Sequence, residues 1–173
     1  MNLKELVRNV PNFPKPGIVF RDIMPMLADA QALRYVVDAM FVHYFGKRID
    51  KVVSAEARGF IFGPALAYHL GAGFVAVRKP GKLPFKTKQI TYDLEYGQDT
   101  LAIHEDSLKV GDHVLLVDDL LATGGTMAAS AKLVESLGAK VMGAGFVIEL
   151  TFLPGRKRLQ NYDVFSLIQY DSE

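Results

Sequence analysis

Val114-Leu-Leu-Val-Asp-Asp-Leu-Leu-Ala-Thr-Gly-Gly-Thr126 is the stretch on which the fold turns. Val114–Val117 form a continuous apolar run, the pattern of a strand buried on both faces. Two adjacent carboxylates, Asp118 and Asp119, leave that strand, where successive side chains point to opposite sides. Thr123, Gly124, Gly125 and Thr126 then turn the chain into a helix from Thr126 onward. Met127, Ala131, Val134 and Leu137 share one stripe of that helix, and Gly138 ends it. A glycine-rich turn at a helix start offers unpaired backbone N–H groups and the positive end of the helix dipole, which suits a phosphate. Glycines let a ligand approach the backbone closely, and threonine hydroxyls add donors. Acids cannot hold the phosphate itself, so Asp118 and Asp119 must serve something adjacent, such as sugar hydroxyls or a cation. The plain alternative is an ordinary strand–turn–helix junction capped by threonine. The apolar run, paired acids and Ala-Thr-Gly-Gly-Thr together weigh against it, and Walker A and GxGxxG patterns are absent.

Outward from this stretch, strands and helices alternate. Leu33, Val36, Val37, Met40, Phe41 and Tyr44 recur at helical spacing, with Gly46 suited to the C-terminal cap. Lys51–Ser54 reads as a short strand, roughly Phe60–Leu70 as a helix capped by Gly71, and Phe74–Val77 as a further strand. Val141–Ile148 and Val164–Ile168 supply two more. This order predicts an α/β fold, a parallel twisted sheet with helices on both faces and right-handed crossovers. Ligands in such sheets bind beyond the carboxyl ends of the strands. Glu56–Gly59, Arg78–Lys82 and Asp118–Thr126 each follow a strand directly, so the chemistry is expected there. Residues 11–20 are too proline-rich for helix and read as extended. Residues 78–100 are broken by Pro80, Gly81, Pro84 and Gly97 and alternate only around Ile90–Leu94, which predicts a long loop or hairpin acting as a lid.

Composition bounds the function. At 173 residues the chain suits one domain, 1–173, and its formal net charge of +1 gives no global pull toward nucleic acid or a membrane. Cysteine is absent and the four histidines form no HExxH pattern, so disulfide frameworks and cysteine–zinc sites are excluded. The N-terminus lacks the apolar core of a signal peptide, and no stretch is long enough to span a bilayer. A cytoplasmic protein is the expectation.

Val114–Thr126 resembles the motif with which type I phosphoribosyltransferases bind 5-phosphoribosyl 1-pyrophosphate (PRPP). Phe13–Asp22, Glu56–Phe60, Arg78–Pro84, Thr91–Gly97, Asp118–Thr126, Glu149-Leu-Thr and Gly155-Arg-Lys resemble, in order, segments of the adenine phosphoribosyltransferases. The likeness spans nearly the whole chain. It implies the type I fold with a small N-terminal hood (1–30) that recognises the base and a flexible lid hairpin (78–100). By the same likeness, Ala122, Thr123, Gly124, Gly125 and Thr126 cradle the 5′-phosphate, while Asp118 and Asp119 address the ribose hydroxyls. Phe20 would stack on adenine with Leu150 closing the opposite face, and backbone groups of Val19 and Arg21 would read its 6-amino edge. From the residues alone, Phe20 is equally well a core aromatic.

In relatives that use 6-oxopurines the position of Ala122 is usually an aspartate that handles the purine proton. Alanine cannot, and the resemblance shifts that task to Glu95 in the lid. Arg78, Lys79, Lys82, Lys86 and Lys88 run without an intervening acid. Beside a PRPP motif, Arg58, Arg78, Lys79 and Lys82 suit pyrophosphate, which arginine can grip through two oxygens. Arg78 and Lys82 would serve their own site or a partner's. The family further implies a cis backbone around Glu56–Ala57, Mg²⁺ carried by PRPP with no directly fixed metal ligands, and a homodimer. The expected partners are adenine, PRPP, AMP and pyrophosphate, with neither nucleic acid nor membrane. Rival readings are a phosphoribosyltransferase for another base and a non-catalytic PRPP-sensing regulator. The latter usually carries a DNA-binding extension, for which the few residues before Pro11 are too short.

Overall fold

The computed structural model describes residues 1–93 and 97–172. A 3₁₀ turn (Leu3–Leu6) leads into β1 (Arg8–Pro11), β2 (Val19–Asp22), α1 (Met24–Ala28) and α2 (Ala30–Tyr44). Then follow β3 (Lys51–Ala55), α3 (Gly59–Leu70), β4 (Gly73–Val77), β5 (Thr87–Asp93) and β6 (Gln98–His104). β7 (His113–Leu121), α4 (Gly125–Ser136), β8 (Lys140–Leu150), α5 (Gly155–Arg158) and β9 (Val164–Tyr170) complete the chain.

The central sheet has five strands in the order β4-β3-β7-β8-β9, every neighbouring pair parallel. The strand period of two divides its side chains between two cores. Val52, Leu115 and Val117 meet Val36, Met40, Phe62 and Leu66 of α2 and α3 on one face. Val53, Val114 and Leu116 meet Met127, Ala131 and Val134 of α4 on the other. The expected fold, a parallel sheet covered on both faces, is therefore present.

Local chemistry sets the boundaries. The Asp29 carboxylate caps α2 by accepting from the N–H groups of Gln31 and Ala32 at 2.9 and 2.8 Å. Gly71 closes α3 at φ +66°, in the left-handed region that glycine enters without a Cβ penalty. The proline-rich segment after β1 turns through a cis Phe13–Pro14 bond and returns antiparallel as β2. β5 and β6 make the hairpin expected within 78–100, and it continues four residues further, to His104. One boundary differs in a way that matters. Asp118 and Asp119 lie inside β7, which pairs with β8 as far as Leu121. The turn is thus only Ala122–Gly124, and the helix begins at Gly125, one residue before the expected start.

Candidate active site

The turn after β7 is shaped by backbone contact. Gly124 takes φ +78°, and a Cβ there would lie 2.9 Å from the Gly155 Cα. Conformation and space both call for glycine. The first N–H groups of α4 have no intrahelical partner, and among the described residues no side chain caps them, which leaves them available to an anion. Residues 122–126 bound a cavity of about 200 Å³ together with Arg58, Asp118 and Asp119. Residues far apart in sequence thus meet at the carboxyl ends of β3 and β7.

Both acids engage the start of α3. Asp119 is buried and accepts a 2.5 Å hydrogen bond from Arg58 Nε. One Asp118 oxygen accepts from the Asp119 N–H at 2.9 Å. That same oxygen lies 2.9 Å from where a Cβ on Gly59 would stand. Burial, and then the charge of Asp119, push the Asp118 carboxyl well above the usual carboxylate range. A neighbour that donates hydrogen bonds or carries positive charge would recover its ionised form.

Arg78 and Lys79 of the basic run are already engaged. Arg78 Nη2 and Nε reach Glu56 Oε2 at 2.9 and 3.1 Å, and the Lys79 N–H donates to Glu56 Oε1 at 2.7 Å. The Lys79 N–H, followed by the Arg78 pair, holds the Glu56 carboxyl below its ordinary value. The Arg78 guanidinium also donates to the Lys82 carbonyl at 3.2 Å. Lys79 Nζ pairs with Asp99, whose carboxylate accepts from the Tyr92 hydroxyl at 3.3 Å. Tyr92 in turn bonds Thr126 Oγ1 at 3.1 Å, so the hairpin rests on the glycine turn. Glu56 and Asp99 are the residues that sequence reasoning left without a role. Glu56 was visible as the acid following β3, whereas Asp99 comes opposite Tyr92 only through the hairpin register. The Glu56–Ala57 bond is cis.

Phe20 is half-buried in β2, with the Phe13 ring edge-on at 5.2 Å and the Arg58 guanidinium 5.2 Å from its ring centre. Arg58 therefore joins Phe20 to the acid pair. The Arg21 side chain is occupied: it is buried, donates to Asn9 Oδ1 at 2.6 Å and lies 4.1 Å over the Tyr170 ring. Its guanidinium is thus taken up by contacts within the protein. Among the described residues β2 pairs with β1 along one edge alone, so its other edge presents backbone donors and acceptors from Val19 onward. Leu150 ends β8, partly buried against the α2–α3 core. Glu95 lies outside the described residues.

The phosphoribosyl transferase domain family matches residues 25–172. A relative from Acidobacterium capsulatum named adenine phosphoribosyltransferase is 61% identical over 97% of this chain and 93% of its own. One of the same name from Clostridium botulinum is 57% identical over 99% of each. The solved adenine phosphoribosyltransferase of Thermoanaerobacter pseudethanolicus superposes with a TM-score of 0.95 at 54% identity, covering 97% of this chain and 98% of that one. The Saccharomyces cerevisiae enzyme, solved with adenine and an imino-altritol bisphosphate, gives 0.91 at 44% identity over 95% and 96%. The chain belongs to the phosphoribosyltransferase family, among its adenine phosphoribosyltransferases.

Proposed function

We propose that the chain transfers the 5-phosphoribosyl group from PRPP to adenine, releasing AMP and pyrophosphate, a purine-salvage reaction. The observation that carries this is the cavity shared by Arg58, Asp118, Asp119 and Ala122–Thr126, in a chain so similar to adenine phosphoribosyltransferases. The 5′-phosphate sits on the N–H groups and hydroxyls of residues 122–126. Asp118 and Asp119 orient the ribose hydroxyls and stabilise the positive charge that builds at C1 as the C1–oxygen bond breaks. Adenine N9 then attacks C1 from the opposite face, and the pyrophosphate leaves. Arg58, Arg78, Lys79 and Lys82 receive it, the first three exchanging their present carboxylate partners for its oxygens. When bound with PRPP, Mg²⁺ would supply further charge neutralisation, held mainly by substrate and water beside the carboxylates of Asp118 and Asp119.

In this reading Phe20 and Leu150 sandwich adenine, Val19 and Arg21 read its edge through the backbone, and Glu95 handles the purine proton. The chain works as one domain, with 1–30 as hood and 78–100 as a lid that excludes water. Among the described residues no helix is long and apolar enough to cross a membrane, and we place the protein in the cytoplasm. A homodimer is the proposed assembly, consistent with the exposed apolar side chains Val42, Phe45 and Tyr68.

Labelled adenine with PRPP and Mg²⁺ should yield AMP; a base panel in which hypoxanthine is consumed and adenine is not would overturn the assignment. Phe20→Ala should raise KM for adenine about tenfold and KM for PRPP much less, as loss of one stacking face implies. Glu95→Gln should lower kcat about a hundredfold with little change in PRPP affinity, the ordinary scale of a lost general base. Unchanged turnover would remove Glu95 from the chemistry.

A further inference from the structure

The proposed phosphate loop does not stand on its own residues. Behind it lies α5, a single turn whose first residue, Gly155, is buried. A Cβ on Gly155 would collide with the Ala122 carbonyl oxygen and come within 2.9 Å of Leu121 Cγ. Gly124 touches the Gly155 backbone from the other side, and Arg158 Nη1 lies 3.2 Å from the Cβ position of Gly125. The loop is therefore packed against backbone, where even a methyl group does not fit.

What seats α5 is an ion pair. Glu149 is 1% exposed on β8, in register with Leu121, the residue from which the loop departs. Arg156 grips it through two bonds, Nε to Oε1 at 2.7 Å and Nη2 to Oε2 at 2.6 Å. Its remaining terminal nitrogen donates to the Val164 carbonyl at 3.0 Å, and Ser166 Oγ donates to Glu149 Oε2 at 2.6 Å. Arg156 holds the Glu149 carboxyl below its ordinary value, so the pair is charged across the physiological range. Buried ion pairs add little stability over apolar residues of similar volume, but a two-bond guanidinium–carboxylate contact fixes geometry.

We propose that Arg156 is a positioning residue for the phosphate subsite: clamped on Glu149, it holds Gly155 as the rear wall of the Ala122–Thr126 loop. The inference rests on reading that loop as the PRPP phosphate site. Neither residue lines the cavity that residues 122–126 bound, so loosening the clamp should spread the loop and weaken phosphate binding, leaving the adenine side nearly untouched.

Four variants test it: Arg156→Ala, Arg156→Lys, Gly155→Ala and the apolar exchange Glu149→Leu with Arg156→Met. Each is measured for melting temperature, for KM of PRPP and of adenine, and for AMP affinity by calorimetry. Arg156→Ala and Gly155→Ala should raise KM for PRPP about tenfold and weaken AMP comparably, with adenine KM within about twofold. Arg156→Lys, which keeps the charge but loses the fork, should recover part of the loss. The apolar exchange should melt near wild type and still bind PRPP poorly, which separates positioning from stability. Wild-type PRPP affinity in the folded Gly155→Ala protein and in the apolar exchange would overturn the proposal while leaving the loop's assignment intact. Wild-type protein that binds neither PRPP nor AMP would instead overturn the underlying reading, and this inference with it.

Discussion

Asp118→Asn combined with Asp119→Asn should lower kcat/KM for PRPP by about a thousandfold, the scale of losing preorganised charge opposite a developing cation. Asparagine keeps the shape and can still meet a hydroxyl, so ribose binding should suffer less than bond cleavage. The two acids are also expected to differ in what they do for the fold. Asp119 has a cation at hand, since Arg58 donates to it at 2.5 Å. Asp118 has a single backbone donor among the described residues, is desolvated, and faces the charge of Asp119, so its carboxyl is pushed well above its unfolded value. For such a group protonation favours the folded state. Its contribution is most favourable below the ordinary carboxylate range and is lost as pH rises from there through the raised value. Asp118→Asn should therefore melt higher than wild type at neutral pH, and the gap should close as pH falls below that window. Thermal melts across pH measure this directly; an Asp118→Asn protein that melts lower than wild type at neutral pH would show that the carboxylate is not a burden on the fold. Gain in stability with loss of turnover is the expected mark of a site held against its own folding preference.

Much of this arrangement was readable from local signals. A four-residue apolar run at Val114–Val117, a glycine after each of α3 and α4, and strand–helix alternation suffice for a doubly covered parallel sheet. What stayed hidden depends on pairing across the chain. Adjacent aspartates have poor strand propensity and look like a strand's end, yet β8 extends the ladder past them, with Asp118 opposite Phe146 and Leu120 opposite Ile148. The run from Arg78 to Lys88 looks like free positive charge, because Glu56 and Asp99, the partners of Arg78 and Lys79, come from another strand end and from the hairpin's second strand. The contact between Gly124 and Gly155 has no sequence signal at all, since a glycine in a turn has enough reason to be there without a neighbour. Phe20 was ambiguous because a half-buried aromatic packed edge-on against Phe13 satisfies core packing and ligand stacking alike.

Gly59→Ala should reduce kcat/KM for PRPP about a hundredfold, whereas Gly63→Ala, one turn further along α3, should cost stability with kcat/KM within about threefold. Both glycines let α3 lie against Ser54 on β3, but they sit at different distances from the acids. A methyl at Gly63 would meet Phe74 Cε2 at 2.8 Å and the Ser54 Cβ at 3.1 Å. It would also strike the Ser54 hydroxyl, which is buried and has no hydrogen-bond partner among the described residues, so turning that hydroxyl aside breaks no bond. The Cβ and ring contacts remain. Overpacking of this kind costs about 1–3 kcal/mol, against a gain of about 1 kcal/mol from placing alanine inside a helix. Gly63→Ala should thus be a net loss, read as a lower melting temperature. At Gly59 the methyl would instead stand 2.9 Å from an Asp118 oxygen and 3.2 Å from the Val117 carbonyl. A backbone carbonyl in a five-stranded sheet cannot yield easily, so the carboxylate must, and a displacement near 1 Å at a reacting group costs about two orders of magnitude in rate. Because Gly59 is the first residue of α3, the helix gains less from alanine there and the stability change should be small. The two variants therefore trade places between assays. If Gly59→Ala keeps full kcat/KM for PRPP, the position of Asp118 does not limit the reaction, and the Asp118 role assigned above falls with it.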